Sequence, residues 1–266
     1  MKRFHYLILA ILPAFLIIIG VYAQFEMPFY YLFSIDPDYT YLFNGLNLAH
    51  LNFPTHIDHP GTPLQLLVCI VLRVVHLFHN PSWPIDKDVF TNSEFYLKSI
   101  VIVIFSLVVI AHFILGKWVY KSTKKMTTAI FLQATPFVST TVLCLFNRIL
   151  VEHLLIFWLF LIIPFFIAYI FDDNTPNKKN FVENLTDKYV IGFSILMSLG
   201  IATKITFFPV AVIPLILLNG NKKIIYFGYT MVAFSIFAFP IFHQWVYFRN
   251  WVEGLLIHSG QYGTGP

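Results

Sequence analysis

Residues 97–116 and 149–171 each run for about 20 positions with a single acidic or basic residue, Lys98 and Glu152, and these two stretches restrict the fold more than any other feature. As helices, such stretches are long enough to cross a hydrocarbon layer of about 30 Å. Backbone amides in lipid must find partners within their own segment or in a closed barrel. The apolar residues here are continuous rather than alternating, which selects helices. Composition agrees: 58% of the 266 residues are hydrophobic, 11% are charged, and mean hydropathy is +0.74. A soluble domain carries roughly 25% charged residues. The fold class is therefore all-α, a polytopic transmembrane helical protein.

Seven spans fit the apolar runs: about 5–23, 97–116, 126–144, 149–171, 189–203, 205–219 and 224–246. The first follows Met1–Arg3 without a small-x-small cleavage site, so it reads as an uncleaved helix rather than a signal peptide. The segment 64–79 is apolar but short, and it carries Arg73, His76 and His79. Basic residues favour the cytoplasmic side of a membrane. If 64–79 stays outside, Lys2, Arg3, Lys117, Lys121, Lys124, Lys125, Lys178, Lys179, Lys188, Lys222 and Lys223 are all cytoplasmic, eleven of the seventeen lysines and arginines. If it crosses, the four-lysine loop 117–125 is translocated. The first topology is preferred. It makes the chain one transmembrane domain, 1–266, with an external loop at 24–96 and the start of a second at 247–266.

This pattern reads the net charge of +4 as a topology signal and gives no reason to expect a nucleic-acid partner; the partners expected are membrane lipids. Cys69 and Cys144 lie in apolar surroundings and define no disulfide framework. Asn184-Leu185-Thr186 matches a glycosylation acceptor, but on the cytoplasmic side. In the long loop, Asp36-Pro37 reads as an N-cap and first helical residue. Tyr39, Leu42, Phe43, Leu46 and Ala49 then recur at helical spacing opposite Thr40, Asn44 and Asn47, an amphipathic helix lying on the membrane surface.

Four polar features fall on the external side. Asp36 and Asp38 are carboxylates suited to a general base or to a divalent metal, or else to helix capping. His56, Asp58 and His59 occupy a proline-bounded turn, which suits hydrogen bonding to a polar substrate better than a metal cage; a solvated loop is the plainer alternative. Arg148 and Glu152 stand four residues apart where a span meets water, as an ion pair or as substrate ligands. Lys204, between two short apolar runs, offers a point charge to a phosphate or else reaches for the headgroups. Arg249, Glu253, His258 and Tyr262 follow in the polar tail, whereas His112 and His153 read as packing residues.

The order of these features resembles the GT-C integral membrane glycosyltransferases, which take a sugar from a polyprenyl-phosphate carrier; protein mannosyltransferases, aminoarabinose transferases and family 39-like enzymes belong to this group. The matching segments are Asp36-Pro37-Asp38-Tyr39-Thr40-Tyr41, the turn His59-Pro60-Gly61-Thr62-Pro63-Leu64, Arg148 with Glu152, and Gly200 with Lys204. Gly61-Thr62 replaces a second proline, two aspartates compete for one acid position, and the chain is shorter than such enzymes, as a truncated copy would be. The resemblance implies transfer of a sugar from a polyprenyl-phosphate donor to a lipid, glycan or protein acceptor at the periplasmic or extracellular face of a bacterial inner membrane. It implies Asp36 or Asp38 as the general base or metal-associated carboxylate, and His56, His59, Arg148, Glu152, Lys204, His258 and Tyr262 as substrate ligands. A Mg or Mn ion on Asp36 and Glu152 is the cofactor it allows. A transporter or lipid flippase and an inactive pseudoenzyme are the alternative expectations.

Overall fold

The computed structural model describes residues 3–26, 37–57, 59–172 and 181–257. The helices among them are α1 (Arg3–Glu26), α2 (Asp38–Ala49), α3 (Thr62–His79), α4 (Ile85–Thr91), α5 (Ser93–Thr123), α6 (Met126–Ala134), α7 (Thr140–Cys144), α8 (Val151–Ile170), α9 (Phe181–Leu185), α10 (Lys188–Thr203), α11 (Phe208–Leu217), α12 (Asn221–Phe237) and α13 (Trp245–Leu256). No strand occurs among the described residues; one isolated antiparallel bridge joins Pro60 to Lys204.

The all-helical membrane class is seen, but not the count of seven spans. Four helices, α1, α3, α5 and α8, are long and apolar enough to cross a membrane, and α12 with α13 makes a fifth if that pair, bent by 73°, is one span. The stretch 126–144 is broken into α6, a 3-10 turn and α7 around Pro136. At about 1.5 Å per residue, α10 reaches about 24 Å and α11 about 15 Å, less than the hydrocarbon thickness.

Side-chain contacts fix the helix directions. Phe105 on α5 meets Gly20, and Tyr120 meets His5, so α1 and α5 are antiparallel. His112 meets Phe160 and Trp118 meets Phe165, so α5 and α8 are parallel. Trp158 bonds Thr203 while Phe165 meets Tyr189, so α10 returns antiparallel to α8. Ser194 and Ser198 donate to the carbonyls of Tyr226 and Thr230, which sets α12 parallel to α10. These directions gather Arg3, Lys117, Lys121, Lys124, Lys125, Lys188, Lys222 and Lys223 at one end of the bundle. The start of α8 and the ends of α10 and α12 lie at the other.

At that second end α3 begins. Thr62 Oγ1 donates to the Phe237 carbonyl at 2.7 Å. From there α3 runs outward beside the first turns of α5, packing Leu64, Val68, Val71 and Leu72 with Leu97, Ile100 and Ile104 in one buried cluster. Its far end is held by Asp88 on α4, whose carboxylate accepts from His76 and His79 Nδ1 at 3.0 Å each, from Asn92 Nδ2 at 2.9 Å and from the Tyr96 hydroxyl. Arg73, the basic residue that made 64–79 a doubtful span, donates to the Ala49 carbonyl at the end of α2. A free helix-end carbonyl thereby finds its partner.

Candidate functional site

Helix α2 starts one residue later than its sequence suggests. Pro37 is the N-cap, Asp38 opens the helix, and the Tyr41 amide donates to the Pro37 carbonyl at 3.0 Å. Asp36 lies outside the described residues. Asp38 does more than favour a helix dipole. It is 2% exposed, one oxygen accepts from Arg148 Nε, and the other accepts from the Ile149 amide at 2.5 Å. Burial pushes the Asp38 carboxyl above its ordinary pKa, and the Ile149 amide and the Arg148 charge offset this only in part.

Arg148 lies in the bend before α8, so it and Glu152 do not share a helix as their spacing suggests. Each has a long-range partner. Arg148 pairs with Asp38, and Glu152 Oε1 accepts from Lys204 Nζ at 2.6 Å. The second pair is partly open, with the lysine side chain 22% exposed and the glutamate 38%. Lys204 reaches this place because α10 ends in a tight reversal. Its amide donates to the Gly200 carbonyl at 2.9 Å, and a Cβ on Gly200 would sit 2.2 Å from Cδ1 of Phe207. Only glycine at 200 lets the Phe207 ring close the reversal that leaves Lys204 in extended backbone.

The histidine turn is seated against this reversal. Beyond the Pro60–Lys204 bridge, the Ile205 amide donates to the His59 carbonyl at 2.7 Å. The His59 ring stands edge-on to His56, at 6.2 Å between centroids, and to Trp251 of α13, at 5.7 Å. His56 stands edge-on to Tyr41. Residues from α2, α8, the α10 reversal and α13, over 200 positions apart in sequence, thus surround one spot at the outer end of the bundle.

Of the expected site residues, the structure brings His56, His59, Glu152 and Lys204 together and sets the Asp38–Arg148 pair at the base of α8. Asp58, His258 and Tyr262, like Asp36, lie outside the described residues. Among the described residues no three His, Cys, Asp or Glu side chains gather to hold a metal ion. Of the pair expected to take Mg or Mn, only Glu152 is described, and one of its oxygens accepts from Lys204.

Three residues that build the site escape a reading of the sequence. Asn44, assigned there to the solvent face of α2, is 3% exposed; its Oδ1 accepts from the amides of Thr55 at 2.7 Å and His56 at 3.1 Å. Gln65 is fully buried, and its Nε2 donates to the His56 carbonyl at 2.6 Å. Trp251 is a third, since nothing in its spacing links α13 to His59. Comparison with protein-family models, curated proteins and solved structures finds no match.

Proposed function

We propose that the chain is a membrane glycosyltransferase that moves a sugar from a polyprenyl-phosphate donor to an acceptor at the non-cytoplasmic face, with the basic end of the bundle in the cytoplasm. The bacterial inner membrane is the setting this reading implies. The observation that carries it is the meeting of Lys204, Glu152 and His59, from three distant segments, at the bundle end opposite the lysine clusters.

In this reading Asp36 takes the proton of the acceptor hydroxyl or amine. The acceptor atom bonds to the anomeric carbon as the bond from that carbon to the phosphate oxygen breaks. The bonding pair stays on the phosphate, so negative charge grows on the leaving oxygen. Lys204 offsets that charge, and fixed cations aimed at developing charge are worth most where water is scarce. Glu152 holds the ammonium in place, and His56 and His59 shape the acceptor side. Asp38, with both oxygens engaged, is a positioning residue: it ties α2 to the start of α8.

The test is incubation of the purified protein with a panel of radiolabelled polyprenyl-phosphate sugars and membrane extracts as acceptor. Acceptor labelling with release of polyprenyl phosphate supports the reading. Movement of the lipid between leaflets without donor consumption would make the chain a flippase instead.

A further inference from the structure

Next to the candidate site, α11, α12 and α13 enclose a groove of about 360 Å³ on the apolar flank of the bundle. Its walls are Phe208, Val212 and Leu215 of α11 and Phe227 and Met231 of α12; Phe248 of α13 forms its roof. All but Leu215 and Phe248 are exposed on the surface. The roof turns by 73° from α12, as a helix does when it leaves the membrane normal for the headgroup layer. At the rim of the groove, on that same helix, Arg249 Nε donates to Glu253 Oε1 at 2.7 Å, and both side chains are more than half exposed. Arg249 thus lines the apolar slot, and its ion-pair partner Glu253 stands one helical turn further on.

We infer that this groove holds one acyl chain of a phosphatidylethanolamine molecule, with the lipid phosphate on Arg249 and its ammonium on Glu253. The slot lies in the size range of small-ligand pockets, and its apolar walls offer a chain nothing but dispersion and exclusion of water. The rim decides the head. An anionic phospholipid gains at Arg249 but meets the Glu253 carboxylate. A choline lipid keeps the phosphate contact but has no N–H to donate to Glu253. Only a headgroup with both a phosphate and a primary ammonium satisfies both charges. The Arg249–Glu253 contact is exposed and weak by itself, so the lipid displaces it at little cost.

The test is native mass spectrometry of the purified chain from nanodiscs holding equal parts phosphatidylethanolamine, phosphatidylcholine and phosphatidylglycerol. The expected result is one retained phosphatidylethanolamine, preferred about tenfold over each of the others. Glu253→Gln should erase the preference over phosphatidylglycerol, and Val212→Trp, which fills the slot, should abolish retention. If Val212→Trp does not fold, the headgroup preference of the wild type and of Glu253→Gln still decides. Equal retention of the three lipids, no retained lipid, or undiminished retention in folded Val212→Trp overturns the inference. None of these results depends on glycosyl transfer.

Discussion

Replacing Asp88 by asparagine should remove a defined, pH-dependent part of the protein's stability. Asp88 is the point where α3, α4 and α5 meet, with its carboxylate receiving His76, His79, Asn92 and Tyr96. Burial raises its pKa, but those donors together outweigh burial and hold it down to about 2, against an ordinary 3.8. A depression of that size is worth about 2.5 kcal/mol at most. Asp88 is fully covered by its partners yet lies in the thin outer layer of the protein, so solvent screening lowers this to about 1–2 kcal/mol.

The sign follows from linkage: a carboxyl with a depressed pKa contributes stability above its unfolded value of about 4 and loses it as pH falls towards 2. Thermal unfolding in detergent should therefore place Asp88→Asn about 3–6 °C below wild type at pH 6. The gap should close between pH 4 and pH 2. Equal midpoints at pH 6, or a gap unchanged down to pH 2, would refute the reasoning.

Three further outcomes follow from the packing. Arg148→Ala leaves the Asp38 carboxylate buried without its cation and should destabilise by about 3–5 kcal/mol, whereas Asp38→Asn, which removes the charge that burial opposes, should cost clearly less; paired melting curves compare them. Gly45→Ala places a Cβ 2.3 Å from Cγ1 of Val68 and 3.1 Å from the Cys69 amide nitrogen, which should part α2 from α3 at a cost of about 1–3 kcal/mol in the same assay. Single cysteines at positions 58, 75 and 120 of a cysteine-free protein should divide by side: 58 and 75 should react with a membrane-impermeant maleimide from outside and 120 should not. A reactive position 120 would reverse the topology.

The membrane class and the opposite ends of the bundle were legible because both rest on properties that survive without coordinates: apolar length and the placement of lysines. The span count was not, because hydropathy measures how apolar a run is and not where it breaks. The 3-10 turn at Pro136 cuts a run that looks continuous, and the runs on either side of Lys204 form helices too short to cross. In the site, Lys204 stood out as a cation between two apolar runs and His59 as part of a proline-bounded turn. Their partners did not. Arg148 and Glu152 suggest each other at a spacing of four, yet Asp38 and Lys204 claim them from 110 and 52 positions away. Asn44 was hidden for a related reason, since an asparagine that bonds a buried turn and one that bonds water look the same in a helical pattern.

The central claim is that Lys204 receives charge from a departing phosphate, and its most direct measurement is release of polyprenyl phosphate from a labelled donor by wild type and by Lys204→Ala, both verified as inserted and folded. The account predicts turnover by the wild type on at least one sugar of the panel and a fall of about 100-fold or more in the variant. Equal release by both proteins, or none by the wild type on any donor, would contradict it.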